Sequence, residues 1–238
     1  MKYYVAAALG ALALLGSALI VAKPWVTIRH AEPISVKGYA ELPIRADSGS
    51  VTTGVSNAAK SNAEAYKLAG ETLERVKQLI ADTLGDDFNL VELGSSVSEV
   101  MELNDQGKRT NVVDYYVASR SVRVTTADVE GLEKLGRALY DLNAEGISIY
   151  VSGPSFFVSE LDAIKLELVE EATMNGKERA RLMAESSGEH LGPLISARQG
   201  VIQITKENST DTSSYGMYDT ETIEKVIKLA VTLEYAID

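Results

Sequence analysis

LVELGSSVSEVMELNDQGKRTNVVDYYVASRSVRVT, residues 90–125, carries the decision about the fold. Leu90 to Leu103 and Asn111 to Thr125 are long runs rich in β-branched and apolar residues, the composition of strands. Between them, Asn104, Asp105, Gln106 and Gly107 tolerate turn dihedrals and supply local hydrogen bonds. The stretch predicts a long hairpin, which commits the chain to an antiparallel sheet.

Helical periodicity flanks the hairpin on both sides. Ala59, Ala63, Tyr66, Gly70, Leu73, Val76, Ile80 and Leu84 recur at three- and four-residue steps, which predicts a helix over 58–84. Ser56 or Asn57 would cap its start, and Gly85 would close it in a left-handed conformation. After the hairpin, Asp128 offers an N-cap to a shorter helix with Leu132, Leu135, Leu139 and Leu142 on one side, ending near Gly146. A third helix is expected from Ser159, with Asp162 in a capping-box position, to Ser187 before Gly188.

Strand signals fill the intervals. Ile34 to Ala40 and Ser50 to Ser56, punctuated by Pro33, Pro43 and Gly49, read as an opening hairpin. Ile147 to Val151, Leu194 to Thr205 and Ile223 to Ile237 read as further strands. Lys206 to Thr220 is rich in Ser, Thr and Asp, and reads as a flexible excursion. Three times a helix stops at a glycine and a strand follows, so the expected class is α+β: a largely antiparallel sheet with three amphipathic helices packed on it.

Ala172, Gly176, Ala180 and Ala184 put a small residue at every fourth position of the third helix. Successive members drift by only about 40° around the axis, so one narrow face is almost bare of side chains. Gly176 costs about 1 kcal/mol of helix propensity relative to alanine, and close packing is the expected return. The face suits the domain's own core, with a subunit contact as the alternative.

The N-terminus decides location. Tyr3 to Ala22 is an uncharged run of apolar or small residues, including Leu9, Leu14, Leu15, Leu19 and Ile20, and its length matches a bilayer core. Trp25 follows at interfacial depth. Gly16 and Ala18 form the one passable cleavage pair but lie inside the run, so a retained anchor is the preferred reading over a cleaved signal. Residues 1–23 are then the anchor, 24–33 a linker and 34–238 the domain. Charge leaves sidedness open.

Lys2 and Lys23 are the only charges in the first 23 residues, leaving 21 basic against 34 acidic residues in the rest. That balance opposes nucleic acid, and the basic group Lys177, Arg179 and Arg181 is interleaved with Glu178 and Glu185. The absence of cysteine excludes a disulfide framework, a thiolate nucleophile and a sulfur-based zinc site. His30 and His190 have no ligand spacing around them, and Asp82, Asp86 and Asp87 lack the alternation of a calcium loop. No Gly-x-Ser-x-Gly elbow or phosphate loop occurs, and Ser95, Ser96 and Ser98 lie in strand-like sequence. No cofactor, metal or catalytic set is expected.

The chain resembles the SIMPL-domain proteins. The likeness rests on the alanine-every-four helix ending at Gly188, on Gly38 and Asp47 beside the opening strands, and on Tyr115, Tyr116 and Ala118 followed by Val122, Val124 and Asp128. It covers roughly residues 34–237. Lys37-Gly38-Tyr39 and Ala46-Asp47 stand where the family has a Gly-x-Gly pair and a Pro-Asp, and Gly176 replaces the usual alanine. The resemblance implies an exported α+β protein of the bacterial envelope, single-pass in the inner membrane with its domain in the periplasm. It further implies a homo-oligomer linked to stress tolerance, and it implies no established enzyme activity; the expectation is a non-enzymatic protein. A ligand-binding or sensory module, with Tyr215 to Tyr218 as a lid, is the alternative.

Overall fold

The structure is a computed structural model that describes residues 33–237. Tyr3, Leu9, Leu14, Leu15, Leu19, Ile20 and Trp25, on which the anchor reading rests, lie outside the described residues. Among the described residues no helix is long and apolar enough to cross a membrane. The elements run β1 (Ile34–Arg45), β2 (Ser48–Ala59), α1 (Asn62–Leu84), β3 (Asn89–Leu103), β4 (Arg109–Thr126), α2 (Val129–Asp141), β5 (Ile149–Phe157), α3 (Leu161–Ser187), β6 (Leu191–Gln199), β7 (Gln203–Lys206), β8 (Met217–Tyr218) and β9 (Glu224–Ile237). They form two compact units, and the long strands β1 and β9 each contribute to both.

The larger unit spans Leu42–Ile164 and Gln203–Ile227. Its four-stranded sheet has the order β3-β4-β2-β5, antiparallel throughout. The hairpin forms as the sequence predicts. Asn104 Oδ1 accepts the backbone N–H groups of Gln106 and Lys108, each at 3.0 Å, and Gly107 takes φ +71° at the bend. α1 and α2 cover one face of the sheet. Leu73, Val76, Ile80, Leu132, Leu135 and Leu139 meet Val51, Val55, Val122 and Val124 there, and this is the core. Each fully buried leucine contributes about 1.5–3 kcal/mol relative to an exposed one. Asp128 caps α2 as expected, its carboxylate accepting the Gly131 N–H at 2.8 Å.

The smaller unit holds the described residues up to Glu41, Lys165–Ile202 and those from Lys228 onward. Here β6 pairs antiparallel with β9, and β1 lies beside β9. α3 packs on these strands through its small face. Ala172, Ala180 and Ala184 are wholly buried, and Gly176 is buried between Gly38 and Leu233. A Cβ added to Gly38 would lie 2.0 Å from the Ala172 carbonyl oxygen. The absence of side chains at both glycines is therefore what lets helix and strand backbones touch.

Several sequence expectations need correction. β1 and β2 do not pair with each other: β1 neighbours β9, whereas β2 lies between β4 and β5 in the other sheet. The opening hairpin fails because β1 finds its partner at the far end of the chain, and Pro43 sits inside β1, a position an edge strand tolerates. The single helix-covered sheet is likewise two sheets, one containing a parallel pair, β7 with β8. α1 starts at Asn62 with Ser61 as N-cap, because Ala58 and Ala59 complete β2. Its early seam is Ala65 and Ala69, leaving Ala63 and Tyr66 exposed.

Ser159 does not cap α3. Its hydroxyl donates to Asp47 at 2.6 Å, and the helix begins at Leu161. α3 is also not amphipathic in the usual sense, since Leu166, Met174, Leu182 and Met183 point outward while the small residues are buried. The strand expected over Ile147 to Val151 begins at Ile149 and extends to Phe157, and the Leu194 to Thr205 run is two strands, β6 and β7. In the 206–220 segment, Gln203 Nε2 donates to the Ser213 carbonyl at 2.7 Å, and the Tyr218 hydroxyl accepts the Val158 N–H at 3.0 Å.

Candidate functional site

Strand alternation sends every second residue of the four-stranded sheet away from α1 and α2. On that open face the register lines up Gly94, Ser121, Gly54 and Tyr150 in one row across four strands, and Ser96, Ser119 and Ser56 in the next. Small side chains leave a shallow depression of about 500 Å³, lined by these residues together with Thr52, Val55, Ser95 and Arg120. Ser56 Oγ and Ser119 Oγ are 2.7 Å apart, and Arg123 Nε donates to Thr52 Oγ1 at 3.3 Å. Tyr150 stands at its side with 61 % of its surface exposed. Its described lining holds no carboxylate and no imidazole, so its hydroxyls have no adjacent general base. What it can do is donate and accept hydrogen bonds.

The opposite face of the same strands carries charge. Glu92 accepts from Lys77 at 2.7 Å and from Arg120 at 2.9 Å, and the Arg120 guanidinium lies 5.4 Å from the Tyr66 ring centroid. The Lys77 hydrogen bond, then that of Arg120, holds the Glu92 carboxyl below its ordinary value. Hydrogen bonds to Glu74 and Glu92 raise Lys77. This network ties β3 and β4 to α1.

Two further groups are structurally engaged. Lys225 is fully buried, donating to the Asp219 carboxylate at 3.1 Å and to its carbonyl at 2.7 Å. Burial pushes the Asp219 carboxyl up, but hydrogen bonds led by Thr222 and Lys225 outweigh it and hold the group low. In the smaller unit, burial and the Glu41 carboxylate push the Tyr39 phenol up to about 12. Neither arrangement leaves a reactive group poised.

Ala172, Gly176, Ala180 and Ala184 are brought together as one buried face against β1 and β9. Tyr215 is almost fully exposed, and Met217 and Tyr218 form β8. His190 is exposed beyond α3, and no group of three or more His, Cys, Asp or Glu gathers among the described residues. Sequence reading missed Ser56, Ser119, Ser121, Tyr150 and the buried Lys225. The usable signal was alternation of small polar residues at Thr52, Gly54 and Ser56 and at Ser119 and Ser121.

Comparison with known proteins adds the following. Residues 34–234 match the family model SIMPL, described as a protein of unknown function (DUF541). No curated protein matches. Among solved structures, similarity extends to an amidase of the hydantoinase/carbamoylase family from Burkholderia multivorans, at 12 % identity and a TM-score of 0.30, covering 52 % of this chain and 29 % of that one. The regulatory subunit of aspartate kinase from Thermus flavus is similar at 12 % identity and a TM-score of 0.22, covering 84 % and 89 % of the two chains. An uncharacterized conserved protein from Listeria innocua follows at 10 % identity and a TM-score of 0.24, covering 80 % and 91 %. Likeness at these scores carries no activity across.

Proposed function

The chain belongs to the SIMPL family, and from that premise we propose that it is a non-enzymatic, membrane-tethered protein of the cell envelope whose domain self-associates as a scaffold or protective assembly. The observation that supports self-association is the β3–β4 ribbon. β3 is the outer strand of its sheet, and Leu103, Val112, Val91 and Leu93 expose 64 %, 55 %, 48 % and 44 % of their surfaces along the pair. The edge strand offers unpaired backbone groups, and these four side chains add uncovered hydrocarbon beside it, which together make a template for another strand. A second copy of the chain supplies the matching edge in a symmetric contact.

Tethering follows from the sequence of Tyr3 to Ala22, which would hold many copies on one surface and raise their effective concentration. The envelope address and the stress role rest on the family resemblance, and the non-enzymatic reading rests on a resemblance that implies no established enzyme activity. Native mass of the full chain in mild detergent tests the assembly. A mass several times 25.6 kDa, reduced by Leu103→Lys with Val112→Lys, is expected. A single-chain mass in the unaltered protein rejects it.

A further inference from the structure

At the start of β1 the smaller unit carries a recess of about 420 Å³, lined by Ser35, Val36 and Lys37 from the strand and by Arg179, Leu182 and Met183 from the closing turns of α3. Val36 is buried, whereas Leu182 and Met183 expose 50 % and 54 % of their surfaces. Contiguous hydrocarbon left open in this way marks a contact surface. Two cations border it. Arg179 Nη1 donates to the Lys37 carbonyl at 3.2 Å, which draws the guanidinium to the strand. Neither Lys37 nor Arg179 has a carboxylate partner among the described residues, because Glu178 and Glu185, their neighbours on α3, both bind Arg181, at 2.7 and 2.6 Å. In a chain with 34 acidic against 23 basic residues, two adjacent uncompensated cations beside open hydrocarbon are a local exception.

We propose that this recess docks on the anionic surface of the bilayer that holds Tyr3 to Ala22, with Leu182 and Met183 entering the headgroup layer and Lys37 and Arg179 meeting lipid phosphates. Reach and charge argue for that occupant. Residues 23–33 join the apolar run to β1, and eleven residues span at most about 40 Å when fully extended. Ser35, Val36 and Lys37 follow that link directly, so the recess belongs to the part of the smaller unit that the chain holds nearest the bilayer. The Arg179 guanidinium keeps N–H donors beyond the one given to the Lys37 carbonyl, and their planar fork matches phosphate oxygens. Apolar side chains flanked by cations are the composition of a surface that lies in the lipid interface. Two charges and two apolar side chains are a weak handle alone, and the tether makes them sufficient by raising the effective concentration of the bilayer. The assignment rests on the tethering reading and not on self-association.

The chain has no cysteine, so one introduced thiol carries one label. The test places a fluorophore at Leu182→Cys, at Met183→Cys and, for reference, at Leu166→Cys, which is exposed on the same helix about 24 Å away along its axis. The full chain is reconstituted in nanodiscs of phosphatidylcholine, with and without phosphatidylglycerol, that contain a lipid bearing a nitroxide quencher on its headgroup. The expected result is quenching at 182 and 183 in the anionic discs that exceeds quenching at 166. The docked-to-undocked ratio should fall about tenfold or more when Lys37→Gln and Arg179→Gln are combined. Co-elution of the chain with the discs reads the tether on the same samples. Co-elution without quenching at 182 and 183, equal quenching at 166, or quenching indifferent to both phosphatidylglycerol and the loss of the two charges would overturn the docking and leave the tether standing. A label shielded only as protein concentration rises gives the recess to a second copy and overturns the docking as well. A chain that does not co-elute overturns tether and docking together.

Discussion

Replacing Gly38 by alanine probes the contact between α3 and β1. The added Cβ would sit 2.0 Å from the Ala172 carbonyl oxygen, 2.7 Å from the Gly176 nitrogen and 2.8 Å from its Cα. All three are backbone atoms of one helix, so no side-chain rotation relieves the clash. Restoring ordinary contact requires α3 to lift by more than 1 Å, which loosens Leu168, Ala172 and Ala180 against the strands. Overpacking of this kind costs about 1–3 kcal/mol, and a backbone-on-backbone clash belongs at the upper end. Gly176→Ala is the internal comparison. Its Cβ meets the movable Leu233 Cδ1 at 2.7 Å and Gly38 only at 3.1 Å, while the helix gains about 1 kcal/mol in propensity. Gly38→Ala should therefore destabilise by about 3 kcal/mol, lowering the urea midpoint of the full chain in mild detergent by about 1 M or more. Gly176→Ala should cost clearly less. Equal losses, or a Gly38→Ala midpoint within error of the parent, would refute the close-approach argument.

Three other outcomes follow from the described contacts. Asp219→Asn strands the buried Lys225 ammonium and should cost about 3–5 kcal/mol, whereas pairing it with Lys225→Met should recover much of the loss in the same unfolding assay. Asp47 and Asp219 are both held below the ordinary carboxylate value of 3.8, so their stabilisation is complete above that value and is lost as pH falls through their folded values; urea midpoints between pH 5 and 2.5 should decline, less steeply in Asp219→Asn. Asp128→Ala removes the acceptor for the Gly131 N–H and should lower stability by about 1 kcal/mol, with hydrogen exchange accelerated first in the opening turn of α2.

Local chemistry was legible and distant pairing was not. The hairpin at Asn104–Gly107 and the cap at Asp128 are settled within a few residues, by an Asx-type turn and by a carboxylate facing an N-terminal N–H. The partner of β1 is β9, at the other end of the chain, and alternation in Ile34 to Ala40 carries no trace of which strand it meets. The junction at Ala58 and Ala59 misled because alanine fits either period, and the last pairs of β2 with β4 claim both residues. The small face of α3 was visible as a pattern, yet its opposing surface, Gly38 and Leu233, needed the sheet. The same holds for the open-face site. Serines at every second position look like ordinary solvated strand residues until register sets Ser96, Ser119 and Ser56 side by side. Lys225 gave no warning, since its partner Asp219 lies across a bend six residues away.

The proposed role rests on self-association through the exposed ribbon, and sedimentation or native mass measurement of the full chain in mild detergent, over a range of concentrations, addresses it most directly. The account predicts a discrete species several times 25.6 kDa that persists on dilution. A particle containing one chain at every concentration would contradict it.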